Sequence, residues 1–261
     1  MNFFNSISSI LKDIAAILAL LPGVLAFFDL NIHNIIHIFK AKIPKGFLIF
    51  ITGTNGVGKT TTALKVQKKL GLRYIHVNVL REALCSQEEL YKKAGDEALY
   101  KILREPTYLL DNPVSSQGMI DSDFQKQCEI LGPVITKVAK YYYDENLSTV
   151  LEGINISPQI LKKNSIPSSF ALFINLCVTD KSVLENRLDK KAGDNANKKA
   201  VFRENIDKII ETGKKIYNDF ASIDDKDPII KKLTIDNTTM SVKEVTNKII
   251  KEVRYICNQK K

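Results

Sequence analysis

Residues 47–60 read FLIFITGTNGVGKT, an apolar and β-prone run that leads into a glycine-rich loop. The loop, Gly53–Thr60, matches the pattern G-x-x-x-x-G-K-[ST] of a phosphate-binding loop. The next segment, Thr61–Leu70, has helical spacing, and we expect Leu64 and Leu70 to face the interior. A strand, a glycine loop and a helix in this order form the context in which the pattern binds phosphate, so the stretch predicts a nucleotide-binding domain.

The glycine loop predicts the chemistry of the site as well as its fold. Glycines allow successive backbone N–H groups to turn inward on a triphosphate, and the helix N-terminus adds a partial positive charge. Lys59 is expected to reach the β- and γ-phosphates, and Thr60 to hold Mg²⁺ through its hydroxyl. We therefore predict binding of ATP, or of GTP, together with Mg²⁺. The nucleotide is expected to contact Gly53, Thr54, Asn55, Gly56, Val57, Gly58, Lys59, Thr60 and Thr61.

The composition of the 261-residue chain is that of a folded protein, with 44% hydrophobic and 26% charged residues. This length is enough for one large α/β domain or for a domain with an extension. The formal net charge of +9 favours a nucleotide, a phosphorylated metabolite, nucleic acid or an acidic membrane face as partner, although a lysine-rich solvated surface would give the same charge. The cysteines form no C-x-x-C pair and the histidines no metal-ligand set, so we expect reduced thiols in a cytoplasmic protein.

The first 46 residues differ from the rest, and we predict that 1–46 is a separate extension to a domain at 47–261. Residues 14–28 are an apolar run, but this run is shorter than the roughly 20 residues that span a bilayer, and Pro22 interrupts it. An amphipathic helix is predicted next, from the spacing of Ile32, Ile35, Ile36 and Phe39. Two interpretations stay open: the extension associates with a membrane surface, or it packs on the domain or on another subunit.

From residue 47 onward, predicted strands and helices alternate. Such alternation predicts parallel strands joined by crossover helices, and hence an α/β, three-layer P-loop NTPase fold with a five-stranded parallel sheet of the adenylate-kinase-like type. The predicted strands are 47–52, 72–77, 147–151, 170–178 and 229–235. Helices are predicted over 87–105, 123–145, 200–220 and 241–257, and from a cap at Thr179 or Asp180 to Leu188. The lysine-rich residues 189–199 are predicted to form a polar loop in a lid.

In parallel sheets ligands collect at the carboxyl ends of the strands, and candidate catalytic residues fall there. Glu152 ends the third strand, so its carboxylate is predicted to bind a Mg²⁺-bound water near the nucleotide; a solvated turn acid is the alternative. Arg81 follows the second strand and is expected to grip an acceptor phosphate, unless it forms a surface ion pair with Glu82. Phosphoryl transfer depends mainly on such positioning and charge neutralisation.

Further cations and polar groups are predicted to surround the nucleotide. Arg187 and Arg203 flank the lysine-rich loop and are candidates to approach the phosphates when the lid closes; solvated helix charges are the alternative. Asn237 and Thr238 follow the last strand and are predicted to contact the nucleotide base.

Three segments together resemble the 2-phosphoglycerate kinase family of P-loop kinases. They are VNVLRE at 77–82, F-x-x-Q-x-x-x-L-G at 124–132 and TVLEGINISP at 149–158. The likeness covers about residues 47–237, and the spaced pairs Arg81-Glu82 and Glu152-Gly153 make it more specific than the glycine loop alone. The resemblance implies ATP-dependent phosphoryl transfer to a hydroxyl of a small phosphorylated acid.

The chain departs from that family at two positions and in the lid. Where the family has an aspartate after its second strand this chain has Asn78, an amide that can orient an acceptor hydroxyl but cannot accept its proton as well. Asn155 stands where the family has a histidine, and the lid is richer in lysine than in arginine. Two alternatives therefore stay open: another acceptor, such as a nucleotide sugar or a polynucleotide end, or a membrane-associated nucleotide switch with weak catalysis. Nucleic acid is the less favoured partner.

Overall fold

The computed structural model describes the chain in five ranges, namely 43–86, 97–104, 120–166, 171–224 and 231–259. Residues 1–42 of the predicted extension lie outside these ranges, so the helices and the membrane association predicted for it stay predictions. Within the five ranges, no helix combines the length and the apolar character needed to cross a membrane.

Five parallel strands form one sheet. They are β1 (Leu48–Thr52), β2 (Arg73–His76), β3 (Thr149–Glu152), β4 (Ala171–Cys177) and β5 (Lys231–Asp236). Their spatial order is β2-β3-β1-β4-β5, with every neighbouring pair parallel, so the predicted five-stranded parallel sheet is confirmed. β1 lies at the centre and all five of its residues are buried, which explains why its sequence is apolar without alternation.

The described helices connect and cover the strands. They are α1 (Lys59–Leu70), α2 (Val77–Cys85), α3 (Glu97–Arg104), α4 (Ile120–Asp144), α5 (Pro158–Lys163), α6 (Lys181–Ala192), α7 (Ala196–Glu204), α8 (Ile206–Ala221) and α9 (Val242–Gln259). The long helix predicted near 123–145 is present as α4, and Cys128, Leu131 and Ile135 on its predicted apolar side are buried.

Two hydrophobic cores enclose the sheet from its two faces, as a three-layer fold requires. Successive residues of β1 point to opposite faces. Ile49 and Ile51 belong to the core beneath α1, α6 and α9, and Leu48 and Phe50 to the core beneath α2, α4 and α5. Phe50 also stacks on Phe173 of β4, with ring centroids 4.6 Å apart. Full burial of each such side chain is worth about 1.5–3 kcal/mol, so β1 holds the two cores and the loop that follows it in place.

The face of α1 that meets the core differs from the prediction. Leu64 is predicted to face the interior but is 45% exposed, so that prediction is wrong. The buried residues of α1 are Thr62, Ala63 and Val66, which form one helical stripe. The loop before α1 sets the rotation of the helix, and this stripe of mostly small side chains, rather than Leu64, meets the sheet. Leu70 packs against the core as predicted.

The lysine-rich segment 189–199 is mostly helical, which contradicts the predicted loop. α6 continues to Ala192, and α7 begins at Ala196. Asp180 caps α6, as one of the two predicted alternatives, and its carboxylate accepts hydrogen bonds from the backbone N–H groups of Ser182 and Val183. Asn195 caps α7, and its side-chain oxygen accepts one from the backbone N–H of Lys198. The Asn195 cap, only three residues after α6 ends, starts α7. The lysines of this segment therefore lie on two helices.

Candidate active site

The glycine loop joins β1 to α1, and its first position is accessible only to glycine. Gly53 has a φ of 136°, and a Cβ there would lie 2.2 Å from the carbonyl oxygen of Leu176. Gly56 and Gly58 also have positive φ, of 81° and 86°. Left-handed glycines in a loop that opens a helix build the concave backbone from which N–H groups bind phosphate. The residues predicted to bind the nucleotide phosphates therefore lie in one loop and the first turn of α1.

Lys59 begins α1 and holds its ammonium group against the loop. Its Nζ donates a hydrogen bond to the carbonyl oxygen of Thr54 at 2.8 Å. Burial lowers the pKa of Lys59 to about 8; the carboxylate of Glu152 acts in the opposite direction, and the charge of Lys191 adds to the lowering. A polyphosphate beside this group would stabilise its charged form, so the environment of Lys59 suits an anionic ligand.

The carboxylate of Glu152 lies at the end of β3, beside the loop, and is 0% exposed. Its Oε1 accepts hydrogen bonds from the hydroxyls of Thr60 at 2.9 Å and Tyr74 at 3.0 Å, and lies 3.1 Å from Nε2 of His76. Its Oε2 has no hydrogen-bond partner among the described residues.

This arrangement fits Mg²⁺, which prefers oxygen ligands and keeps several waters. The two predicted metal ligands, Thr60 and Glu152, are in direct contact, and one carboxylate oxygen is uncommitted. In the described part of the chain, no group of three or more His, Cys, Asp or Glu residues could hold a metal ion by itself. Nucleotide phosphates and water would have to complete the coordination, as is usual where Mg²⁺ accompanies a nucleotide.

Tyr74 and His76 are site residues that the sequence analysis missed. They alternate along β2 and pair in register with β3, so both side chains reach the face of the sheet on which Glu152 lies. Burial raises the pKa of Tyr74, and the charge of Glu152 raises it further, so the phenol stays a hydrogen-bond donor. Two polar residues at alternate positions are a visible signal, but they become informative only once β2 is known to lie beside β3.

Asn237 follows β5 and connects the last strand to the glycine loop. Its Nδ2 donates to the carbonyl oxygen of Val57 at 2.7 Å, and its Oδ1 accepts from Arg187 at 2.8 Å. Arg187 also donates to the backbone carbonyl of Asn237 at 2.8 Å. Because both the nitrogen and the oxygen of the Asn237 side chain are hydrogen-bonded within the chain, this residue mainly holds the loop and Arg187 in position.

A cavity of about 310 Å³ adjoins the loop and the start of α1. It is a suitable place for the nucleotide base, because it opens beside the glycines and mixes apolar and polar side chains. Its lining consists of Gly56, Val57, Gly58, Thr61, Thr62, Arg187, Asn237, Met240, Ser241, Val242 and Val245. Asn237 and Arg187 both line this cavity, and the nucleotide contacts predicted for them stay predictions.

Two other predicted residues have partners away from this cavity. The hydroxyl of Thr238 donates to Asp236 at 2.6 Å and accepts from the backbone N–H of Thr179 at 2.9 Å. Arg203 is exposed and donates to the carboxylate of Asp189 at 2.6 Å. For Arg203 this is the arrangement expected of a solvated helix charge, and the roles predicted for both residues stay predictions.

β2 leads directly into α2, which carries Asn78 and Arg81. The start of this helix packs against the third strand end, because a Cβ on Gly153 would lie 2.6 Å from the Cβ of Val77. Arg81 donates to Glu82 at 2.9 Å, which is the ion pair foreseen as the alternative to phosphate binding. Its Nε, however, is buried and has no hydrogen-bond partner in the described ranges. Arg81 therefore keeps one N–H group available to a ligand.

A buried polar pair lies behind the loop that follows β3. Nδ2 of Asn155 donates to Oε1 of Gln127 at 2.6 Å, and Nε2 of Gln127 donates to the carbonyl oxygen of Ile102 at 2.9 Å. Both amides are almost fully buried, and Oδ1 of Asn155 has no partner within the described residues. Leaving a buried acceptor unpaired costs about 1–3 kcal/mol, so such an atom next to a candidate site is a candidate ligand contact.

The strand order, the glycine loop and the Thr60–Glu152 contact together define a P-loop nucleotide-binding domain. No family model matches the chain. Curated proteins named 2-phosphoglycerate kinase are similar to it, which confirms the resemblance drawn from the motifs. That of Pyrococcus furiosus is 23% identical over 210 residues, covering 78% of this chain and 65% of the relative. That of Methanopyrus kandleri is 24% identical over 223 residues, covering 82% and 65%. The chain thus spans less than two thirds of the length of either relative.

Solved structures of several kinases resemble the domain at low sequence identity. A sugar kinase from Janibacter sp. has a TM-score of 0.45 at 16% identity, covering 78% of this chain and 92% of that chain. A gluconokinase from Sinorhizobium meliloti has a TM-score of 0.44 at 12% identity, covering 84% and 97%. A shikimate kinase from Acinetobacter baumannii has a TM-score of 0.41 at 13% identity, covering 84% and 96%. Because these TM-scores are low, the fold is assigned from the strand order and loop geometry of the chain itself.

Proposed function

We propose that the chain is an ATP- and Mg²⁺-dependent kinase that phosphorylates a hydroxyl of a small phosphorylated acid, similar to 2-phosphoglycerate. The observation that carries the proposal is the contact of Thr60 with the buried carboxylate of Glu152 at the glycine loop, with one carboxylate oxygen uncommitted. The similarity to curated 2-phosphoglycerate kinases supports the class of acceptor.

In this proposal the nucleotide half of the site positions the phosphates and neutralises their charge. Lys59 pairs with the β- and γ-phosphates, for which it would exchange its hydrogen bond to Thr54. Thr60 and Glu152 would hold Mg²⁺, which when bound would supply positive charge to the phosphate oxygens. Tyr74 and His76 fix the orientation of the Glu152 carboxylate through Oε1.

The acceptor half of the site binds the second substrate through α2. Arg81 offers its buried Nε to an anionic group of the acceptor, and Asn78 orients the acceptor hydroxyl. In the transfer, the bond between the γ-phosphorus and the oxygen that bridges it to the β-phosphate breaks. A new bond forms from that phosphorus to the acceptor hydroxyl oxygen, ADP leaves, and the hydroxyl proton is released to water because Asn78 is not a base.

The test is transfer of label from γ-labelled ATP in the presence of Mg²⁺ to 2-phosphoglycerate and a panel of other phosphorylated acids. We expect label on one acceptor of this class. Lys59→Ala, and separately Glu152→Gln, which keeps the shape of the side chain but removes its charge, should each lower the rate by at least about 100-fold.

ATP binding without transfer to any acceptor of the panel would contradict the proposed substrate class. In that case Asn78→Asp is the informative variant, because it restores a group that accepts a proton. Transfer gained by Asn78→Asp would indicate a nucleotide-binding switch whose catalysis is weakened at this position. Label that moves instead to a nucleotide sugar or a polynucleotide end would replace the proposed acceptor while retaining the kinase.

A further inference from the structure

A second cavity, of about 170 Å³, lies between α4, α8 and the loop that follows β3. Its lining includes Cys128 of α4, Ser157 of the loop, and Lys215, Ile216 and Asp219 of α8. Pockets that hold a whole drug-sized ligand measure about 300–1,000 Å³. A cavity of this smaller volume suits one polar part of a small substrate.

α8 brings this cavity close to the phosphate site. The carbonyl oxygen of Ile209 accepts a hydrogen bond from the hydroxyl of Thr54 in the glycine loop at 3.0 Å. One turn later, a Cβ on Gly213 would lie 3.3 Å from Cγ2 of Thr54. Ile216 and Asp219 come three and six residues after Gly213, so they lie about 5 and 9 Å further along the helix axis. A substrate whose reacting hydroxyl meets the γ-phosphate could therefore reach the cavity with another of its groups.

Ser157 and Asp219 present hydrogen-bond acceptors to this cavity. The hydroxyl of Ser157 donates to the Asp219 carboxylate and accepts from the backbone N–H of Ile160 at 3.3 Å, so its one proton is already used. A carboxylate has about four acceptor positions, and one hydroxyl fills one of them. Burial raises the pKa of Asp219, and the hydrogen bond from Ser157 opposes this change. Ligand hydroxyls would supply the hydrogen bonds that stabilise the charged carboxylate.

Cys128 connects the cavity to another hydrogen-bond acceptor, Oδ1 of Asn155. The amide nitrogen of Asn155 lies 3.9 Å from Sγ of Cys128. The carbonyl oxygen of Ile102 can only accept, so it takes the nitrogen of the Gln127 amide and leaves the oxygen of that amide for Asn155. Asn155 must then point its own nitrogen at Gln127. The remaining atom of Asn155 is therefore an acceptor, and it has no partner within the described ranges.

Lys215 favours a neutral ligand over a cation in this cavity. Its ammonium group, which pairs with Glu211 at 3.6 Å, already brings positive charge to the lining. Across the described ranges, no group of three or more His, Cys, Asp or Glu residues could hold a metal ion. Hydroxyl groups donate hydrogen bonds without carrying charge, so they are the donors that match these acceptors.

We propose that this cavity binds a hydroxyl-bearing part of the phosphoryl acceptor, and that Asp219 thereby selects a phosphorylated sugar acid with more hydroxyl groups than 2-phosphoglycerate. The one hydroxyl of 2-phosphoglycerate is the group that would receive the phosphoryl group, so none is left for the cavity. The inference rests on the proposed function for the ligand's role as phosphoryl acceptor, but the binding itself needs no transfer.

The test compares the affinities of 2-phosphoglycerate, 4-phosphoerythronate and 6-phosphogluconate for the full chain by isothermal titration calorimetry, with Mg²⁺ and the non-hydrolysable analogue β,γ-imido-ATP present. At least one of the two sugar acids should bind about 10-fold or more tightly than 2-phosphoglycerate, because its additional hydroxyls pair with buried acceptors.

Asp219→Asn keeps the shape of the side chain but removes its charge. It should reduce the preference for the sugar acid to within about threefold and leave the affinity for 2-phosphoglycerate within about twofold. The matched control is Asp207→Asn, which removes an exposed carboxylate from the first turn of α8 and should retain the whole preference.

Equal affinity of the wild type for all three acids would overturn the inference, and so would a preference that survives in Asp219→Asn. The affinity for β,γ-imido-ATP verifies that each variant is folded. If Asp219→Asn is not folded, Asp219→Glu takes its place, because it displaces the carboxylate by one methylene group and should also lose the preference.

The two proposals fail separately. A chain that prefers a sugar acid through Asp219 but transfers label from ATP to no acid contradicts only the proposed function. An active kinase that phosphorylates 2-phosphoglycerate as readily as the sugar acids, with no effect of Asp219→Asn, contradicts only the role of the cavity.

Discussion

The nucleotide half of the site and its acceptor half satisfy their polar groups in different ways. In the nucleotide half, most polar groups have partners within the chain: Lys59 donates to Thr54, Thr60 to Glu152, and Asn237 to the carbonyl oxygen of Val57. The exception is Oε2 of Glu152, which is buried without a partner among the described residues. In the half proposed to bind the acceptor, the buried Nε of Arg81 has no partner among the described residues. The buried Oδ1 of Asn155, behind the loop that follows β3, also lacks one within those residues, and we assign it to the same half.

This difference indicates how the two halves meet their ligands. The nucleotide half is organised by contacts within the chain, so it presents a preformed backbone to the phosphates and changes little when they bind. The acceptor half contains buried polar atoms that only a ligand can pair by hydrogen bonds. Each unpaired atom lowers the free energy of unfolding of the ligand-free chain. Selectivity for the acceptor is therefore expected to depend on these unpaired atoms, because an acceptor that leaves them unpaired is rejected.

The largest effect is expected when the backbone of the nucleotide half is disturbed. In Gly53→Ala the new Cβ would meet a backbone carbonyl at 2.2 Å, so we expect the free energy of unfolding to fall by about 3 kcal/mol or more in urea denaturation. Gly71→Ala is the matched control, because Gly71 also has a positive φ, of 69°, but no atom near its Cβ position. That variant should lose only about 1–2 kcal/mol, the cost of left-handed backbone. Similar losses in both variants would show that the loop is not held against β4.

A smaller effect, confined to the acceptor half, is expected at Arg81. Arg81→Gln should raise the KM for the acceptor by about 10- to 100-fold and leave the affinity for ATP unchanged, since one charge-assisted contact is worth about 1.5–3 kcal/mol. The measurement is steady-state kinetics with each substrate varied in turn.

The control for Arg81 is its ion-pair partner. Glu82→Gln removes the exposed carboxylate and should leave the KM for the acceptor within about threefold, because surface ion pairs contribute little. An equal rise of KM in both variants would mean that Arg81 acts through the ion pair and not through a ligand.

The smallest effect concerns the charge of Lys59 and its dependence on pH. Its pKa is about 8 in the folded chain, against an ordinary value of 10.5. Below pH 8 the ammonium is charged in both states, and its burial costs stability. Between pH 8 and 10.5 the unfolded chain binds more protons than the folded chain, so the contribution of Lys59 to stability rises with pH. Lys59→Met should therefore be more stable than the wild type at pH 7, with an advantage that shrinks as the pH rises through this window.

The measurement for Lys59 is urea denaturation of both proteins at several pH values without nucleotide. The difference between them removes the titration of groups that both proteins share. Lys65→Met, at an exposed position of α1, accounts for the loss of one positive charge. An advantage of Lys59→Met that stays constant from pH 7 to 10.5 would contradict a lowered pKa.

Much of the nucleotide half could be predicted from the sequence, because its residues are close together in the chain or end a recognisable strand. The glycine loop and the positions of Glu152 and Asn237 after their strands follow from motifs at strand ends, whereas the roles predicted for these residues stay predictions. Tyr74 and His76 could not be predicted, because their role depends on β2 lying beside β3. The helical character of residues 189–199 was missed because a basic, glycine-containing segment with few apolar residues is typical of a loop. In the structure α6 continues to Ala192, and the Asn195 cap starts α7 at Ala196.

The sequence by itself determined the class of domain and the location of the phosphate site, since a strand, a glycine loop and a helix are local and depend on backbone conformations that few residues other than glycine adopt. The tertiary structure decided which side chains face that site. Strand order brings Tyr74 and His76 to Glu152, and packing on Gly56 selects the face of α6 that carries Leu184 and Leu188. These choices depend on packing between segments distant in the chain, where burial of apolar surface selects the face of each element, and no local pattern encodes them.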